Sequence, residues 1–147
     1  MAGSDFPAYK KTILVVDDEP ELVTMIRKIL EENGYHVICA FDGPQVFAVL
    51  KKHTPDLILL DIMMPEMNGL EVLARLKGDP ETSSIPVFLL TAQDEYQEML
   101  TGYDTGTDYY ITKPFTRIQL MKAINLGLSW VSANQKHKSL SYRANIS

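Results

Sequence analysis

Asp56-Leu57-Ile58-Leu59-Leu60-Asp61-Ile62-Met63-Met64-Pro65-Glu66-Met67-Asn68-Gly69 is the stretch that decides the fold. Its four consecutive aliphatic residues, Leu57 to Leu60, show no polar–apolar alternation, as expected of a strand buried on both faces of a parallel sheet. The run stops at a carboxylate, Asp61, and passes into Pro65 and Asn68-Gly69, which are turn chemistry. One acid is thereby set at the carboxyl end of a central strand, where open α/β sheets bind their ligands. Alone, Asp61 would read as a strand end or a helix cap. Three further strand ends change that reading.

Outward from this stretch the pattern repeats. Thr12-Ile13-Leu14-Val15-Val16 is a first buried strand, ended by Asp17-Asp18-Glu19. Pro20 suits the first turn of a helix, with Glu19 before it as the cap. Leu22, Ile26, Ile29 and Leu30 follow at helical spacing, and Gly34 is the stop. His36-Val37-Ile38-Cys39-Ala40 is a short second strand, in which Cys39 reads as a small buried hydrophobe. Asp42-Gly43-Pro44 turns into a helix carrying Val46, Phe47, Val49 and Leu50. Beyond the opening strand, a helix through Leu70, Val72, Leu73 and Leu76 ends near Gly78-Asp79-Pro80. Pro86-Val87-Phe88-Leu89-Leu90 is a fourth strand, terminated by Thr91-Ala92. A more polar helix at 94–104 carries Tyr96, Met99, Leu100 and Tyr103. Asp108-Tyr109-Tyr110-Ile111-Thr112 is a fifth strand ending in Lys113-Pro114, and a last helix from Ile118 through Leu128 finishes near Trp130. Five strands alternating with five helices predict one parallel sheet with right-handed crossovers and helices on both faces.

A length of 147 residues fits a single domain, with 1–10 as a flexible leader, 11–130 as the folded unit and 131–147 as a polar, basic tail or linker. The net charge of −5 argues against direct nucleic-acid binding as the main activity. It is unevenly spread. All 19 acids and 11 of the 14 Lys/Arg lie in 1–130, leaving that part at −8, while Lys136, Lys138 and Arg143 put the tail at +3. No apolar run approaches the ~18 residues that span a bilayer, so no membrane association is expected. The single cysteine excludes an internal disulfide and suits a reducing cytoplasm.

Four strands thus end in chemically pointed residues: Asp17-Asp18, Asp61, Thr91 and Lys113. In a parallel sheet of this connectivity all four ends share one edge. Two carboxylates ~4 Å apart repel by about 4 kcal/mol at an effective dielectric near 20. Such a cluster requires a cation or raised pKa values. A hard, oxygen-preferring divalent ion such as Mg²⁺ suits it. Lys113 would pair with an anion in the site, and Thr91 would donate its hydroxyl to a phosphoryl oxygen.

With these blocks in view, the sequence resembles a two-component response-regulator receiver domain over about residues 11–130. The resemblance is carried by Ile13-Leu14-Val15-Val16-Asp17-Asp18-Glu19, by 56–65 with Asn68-Gly69, by Leu90-Thr91-Ala92 and by Tyr110-Ile111-Thr112-Lys113-Pro114-Phe115. It implies the doubly wound, flavodoxin-like strand order 2-1-3-4-5. It implies that Asp61 accepts a phosphoryl group from a histidine kinase or phosphotransfer protein. Asp18 and Asp61, with the backbone carbonyl of Met63, would bind Mg²⁺ directly, and Asp17 would act through a metal-bound water. Thr91 and Lys113 would contact phosphoryl oxygens, and Tyr110 would be the aromatic switch. Thr107 stands where the family usually has alanine. Met63 and Gln93 occupy positions where the family varies and phosphoryl lifetime is tuned.

The resulting expectation is a phosphorylation-dependent switch that catalyses only its own phosphorylation and dephosphorylation. Its signalling surface would comprise the 94–104 helix with Glu95 and Glu98, strand five, and the last helix, near Arg117 and Lys122. That surface would bind a downstream protein target or a second copy in a symmetric dimer. One alternative is a small phosphatase with an aspartyl nucleophile, but those enzymes carry a second Asp two residues on, where Met63 stands here. Others are a phosphorylation-independent adapter, and a receiver cut from a longer DNA-binding or enzymatic regulator.

Overall fold

The computed structural model describes residues 11–64, 68–92 and 108–133. The strands are β1 (Thr12–Val16), β2 (His36–Ala40), β3 (Leu57–Asp61), β4 (Val87–Ala92) and β5 (Tyr109–Lys113). The helices are α1 (Pro20–Glu32), α2 (Gly43–Leu50), α3 (Gly69–Gly78) and α4 (Arg117–Ala133). The strands form one parallel sheet in the order β2-β1-β3-β4-β5, as expected. The fifth expected helix, at 94–104, lies outside the described residues, as do Pro65, Gln93 and Thr107.

The absence of alternation in the strands is explained by two cores. On one face, Ile13 and Val15 of β1, Leu57 and Leu59 of β3, and Phe88 and Leu90 of β4 pack under α1 and α4. On the other, Leu14, Val16, Ile58, Leu60, Val87 and Leu89 pack under α2 and α3. The eight apolar residues Ile13–Val16 and Leu57–Leu60 are wholly inaccessible to solvent. Each such side chain contributes about 1.5–3 kcal/mol over an exposed one. These central strands hold the sheet.

Local details differ from expectation in informative ways. Glu19 occupies the N-cap of α1, yet its side chain makes no capping hydrogen bond. Asp17 Oδ1 instead accepts the Glu19 amide, at 3.0 Å, so the acid two residues earlier steadies the turn. Val23 joins Ile26, Ile29 and Leu30 as a buried member of the stripe, while Leu22 packs against the same core half-buried. Cys39 is half-buried against the first core rather than enclosed, and burial pushes its thiol pKa up despite nearby Arg27. The last helix runs three residues past Trp130, through Val131, Ser132 and Ala133, where no Gly or Pro stops it.

At the amino edge of the sheet two aspartates set strand positions. Asp56 Oδ2 accepts the Thr12 amide at 2.8 Å, joining the starts of β1 and β3. Asp108 Oδ2 accepts the Val87 amide at 2.8 Å and the Lys77 ammonium at 3.1 Å. The same ammonium donates to the carbonyls of Ile85 at 3.0 Å and Ser83 at 3.3 Å. This clamp ties α3, the 79–86 turn, β4 and β5 together.

Helix α4 crosses the sheet at Gly127, where an added Cβ would meet Phe88 Cζ at 2.5 Å and Leu57 Cδ1 at 3.2 Å. Phe88 is wholly buried with its ring 5.2 Å from that of Tyr109 and tilted 47° to it, so it cannot swing aside freely. Gly127→Val should therefore destabilise the fold by about 1–3 kcal/mol through overpacking, despite its better helix propensity. Urea unfolding checks this. An unchanged midpoint would mean that α4 can ride away from the sheet.

Candidate functional site

The site is built by strand alternation. Asp17, Asp61 and Lys113 each continue the set of positions that faces α1 and α4: Ile13-Val15-Asp17, Leu57-Leu59-Asp61 and Tyr109-Ile111-Lys113. Where each apolar set runs out at the carboxyl edge, the next side chain is ionic. Parallel register aligns them, with Val16 beside Leu60 and Asp61 beside Leu90. Lys113 pairs with Ala92 on β4, two residues beyond that level, and its chain reaches back across β4 past this small residue.

The result is a compact charge cluster. Lys113 Nζ lies 3.1 Å from Asp17 Oδ2, 3.2 Å from Asp61 Oδ1 and 3.6 Å from Glu19 Oε1. Carboxylate oxygens of Asp17, Asp18 and Asp61 all fall within 4.8 Å of one another. Asp17 and Asp61 are buried and Asp18 is exposed. Burial raises the Asp61 pKa to about 6, reinforced by the charge of Asp17 and opposed by Lys113 and a hydrogen bond from the Met63 backbone. Burial likewise raises Asp17, against the pull of the Glu19 amide and Lys113. Burial would lower Lys113, but Asp61 and Asp17 outweigh it and leave the ammonium above its ordinary pKa. Lys113 is therefore a permanent cation at neutral pH. Three all-oxygen donors converging from two strand ends, one open to solvent, fit a hard divalent cation.

The other expected residues are distributed differently. Thr91 is fully buried at the end of β4, and its hydroxyl donates to the Ala92 carbonyl at 3.0 Å. It continues the Val87-Leu89 set, so it belongs to the face opposite the charge cluster. Tyr110 is half-buried on that same face, packed against the α2/α3 core. Met63 sends its side chain outward, 59% exposed, while its backbone meets the Asp61 carboxylate. The acids and the ammonium are thus together, while Thr91 and Tyr110 follow the alternation of the opposite face, Thr91 at the same carboxyl edge as Asp61.

Two residues with roles here were not assigned them from sequence. Glu19 is the third carboxylate within ion-pair reach of Lys113. Gly69, the first residue of α3, donates its amide to the Ile62 carbonyl at 2.6 Å. A Cβ on Gly69 would run into the Asp61 carbonyl oxygen and stand 2.7 Å from Ile62 Cα. Ahead of it Asn68 and Glu71 form a reciprocal capping box, a signature present in the spacing Asn68-x-x-Glu71. The β3–α3 junction is pinned directly behind Asp61.

Two outcomes follow from this geometry. Gly69→Ala should displace that backbone, lowering stability by about 1–3 kcal/mol and weakening divalent-ion binding, read by urea unfolding and calorimetric titration. Second, an acid whose native pKa lies above its unfolded value binds its proton more tightly when folded. Its contribution to stability therefore declines as pH rises from 3.8 to about 6, and the loss is complete above that. Asp61→Asn removes the penalty. In EDTA it should be the more stable form by about 2 kcal/mol at pH 7.5, with the gap closing towards pH 4. A gap independent of pH would refute the burial of Asp61 as its cause.

The family model for the response regulator receiver domain matches residues 13–125. The chain is 45% identical over 111 residues to the phosphate regulon transcriptional regulatory protein PhoB of Pseudomonas aeruginosa, covering 76% of this chain and 48% of that protein. It is 42% identical over 105 residues to the probable transcriptional regulatory protein TcrX of Mycobacterium tuberculosis, covering 71% of this chain and 44% of that one. The chain spans about half the length of the curated relatives it matches. Among solved structures, the signal receiver domain of a histidine kinase from Syntrophus aciditrophicus matches with a TM-score of 0.78 at 34% identity, over 86% of this chain and 96% of that one. Sheet order, strand-end chemistry and these likenesses agree: the chain belongs to the response regulator receiver domain family.

Proposed function

We propose that Asp61 is the phosphoacceptor of this receiver and that its phosphorylation, dependent on Mg²⁺, switches a protein-binding surface. The observation that carries the reading is the joint convergence of Asp17, Asp18 and Asp61 oxygens within 4.8 Å, bridged by Lys113 Nζ. Asp18, Asp61 and the Met63 carbonyl would hold the cation directly, and Asp17 through water. Bound there, Mg²⁺ would supply the charge that neutralises phosphoryl oxygens and orients the donor. The carboxylate of Asp61 attacks phosphorus in line. An Asp61 O–P bond forms as the P–N bond of a phosphohistidine, or the P–O bond of acetyl phosphate, breaks, and the electron pair leaves with the donor. At pH 7 a group with a pKa of about 6 is mostly ionised, so the nucleophile needs no added base.

The acyl phosphate adds nearly two negative charges to the site. Lys113 exchanges a carboxylate oxygen for a phosphoryl oxygen. The Thr91 hydroxyl leaves the Ala92 carbonyl to donate to phosphoryl, and the half-buried Tyr110 on the same face turns inward. The module so described turns over no external substrate. Its donor is a histidine kinase or phosphotransfer protein, its compartment the cytoplasm, and its output a protein target or a second copy bound through the 94–104 segment, β5 and α4. No helix among the described residues is long and apolar enough to cross a membrane. The names of PhoB and TcrX favour a second reading of the output, as control of transcription through a further domain. A DNA-binding module in the same reading frame would decide for it.

Acetyl phosphate with Mg²⁺ should label the chain once, at Asp61. Asp61→Asn and EDTA should each abolish labelling, and Asp18→Ala should weaken Mg²⁺ binding roughly tenfold or more. Lys113→Ala should still label in part, yet the labelled form should fail to engage its partner. Phosphate incorporated into Asp61→Asn at the wild-type rate would end the assignment.

A further inference from the structure

Lys113 sits between two claims on the same oxygens. Its ammonium contacts Asp17 Oδ2 at 3.1 Å and Asp61 Oδ1 at 3.2 Å. Asp17 Oδ1 already accepts the Glu19 amide at 3.0 Å. Both oxygens of Asp17 therefore carry donors, and a divalent cation entering among Asp17, Asp18 and Asp61 must share them with a like-charged ammonium. Among the described residues, three carboxylates lie within ion-pair distance of Lys113 Nζ, and the third is Glu19, at 3.6 Å. Glu19 stands outside the group whose oxygens converge for a metal. Its side chain is 64% exposed and makes no capping bond to α1, so helix capping does not engage it.

We infer that Glu19 is a positioning residue that holds the Lys113 ammonium at the rim of the site while a divalent cation occupies the aspartates. The inference rests on the metal-dependent receiver reading above and deepens it. Moving the ammonium towards Glu19 relieves its repulsion with the incoming ion and frees Asp17 Oδ2 and Asp61 Oδ1. It also keeps the lysine within a side-chain rotation of an arriving phosphoryl group, which then outcompetes a solvent-exposed carboxylate. Without Glu19, Lys113 stays on the aspartates and opposes the ion.

Calorimetric titration of the full chain with Mg²⁺, at fixed pH and ionic strength, tests this in a double-mutant cycle. Glu19→Gln should weaken Mg²⁺ binding roughly two- to fivefold in the native background. In a Lys113→Met background, which keeps the aliphatic stem, the same change should have no effect. An equal weakening in both backgrounds would mean that Glu19 acts only as a distant charge on the ion, and would overturn the inference while leaving the receiver reading intact. No weakening in either background overturns it too. A native chain that fails to bind Mg²⁺ would sink the metal-dependent phosphoacceptor reading, and the Glu19 role with it. Urea midpoints of the four forms establish that each is folded during titration.

Discussion

The carboxyl edge of this sheet depends on the burial of Asp17 and Asp61 side by side and on the Lys113 ammonium that bridges them. Two buried carboxylates at the ends of adjacent strands are a poor arrangement for stability, as the raised pKa of each records. Lys113 offsets part of that cost by bridging them, and it does so from β5, with β4 between. The compensation is therefore non-local. β1, β3 and β5 are tied by charge where the sheet offers no direct hydrogen bonds between β5 and the other two. Any species that changes the charge at Asp61 changes the force on β5 at once.

Such a site can be held only by a rigid scaffold. The wholly buried runs of β1 and β3 and the two separate cores supply the rigidity, and the tight junction at Gly69 supplies the rest. The placement of Gly69 against the Asp61 carbonyl means that the backbone of Asp61 is buttressed from behind by a capped helix. The side chain of Asp61 is thereby presented without freedom to retreat.

Most of this was legible in the sequence, and the reasons are physical. Unbroken apolar runs such as Leu57-Ile58-Leu59-Leu60 announce strands covered on both faces, and a parallel order brings their carboxyl ends together, which groups Asp17, Asp61 and Lys113 from pattern alone. What the sequence left open concerns distances between elements. Nothing in the local pattern around Gly127 says that Phe88 lies under it, nor does Asn68-Gly69 reveal how near α3 comes to Asp61. Glu19 read as a cap because caps are a local rule, whereas its ion-pair partner is 94 positions away in sequence. Thr91 and Tyr110 could be placed on their strands, but the face each shares emerged only with the register of β4 and β5.

The Lys77–Asp108 clamp carries a consequence for the opposite edge of the sheet. Asp108 fixes the Val87 amide directly, so that bond helps to set the register of β5 on β4. Lys113 follows five residues later, and a slip of one residue would turn it to the opposite face of the sheet. The ammonium therefore owes its address in part to a bond at the amino edge of the sheet, at the far end of its own strand. A substitution at Asp108 would thus be felt where the charges of Asp17, Asp61 and Lys113 meet.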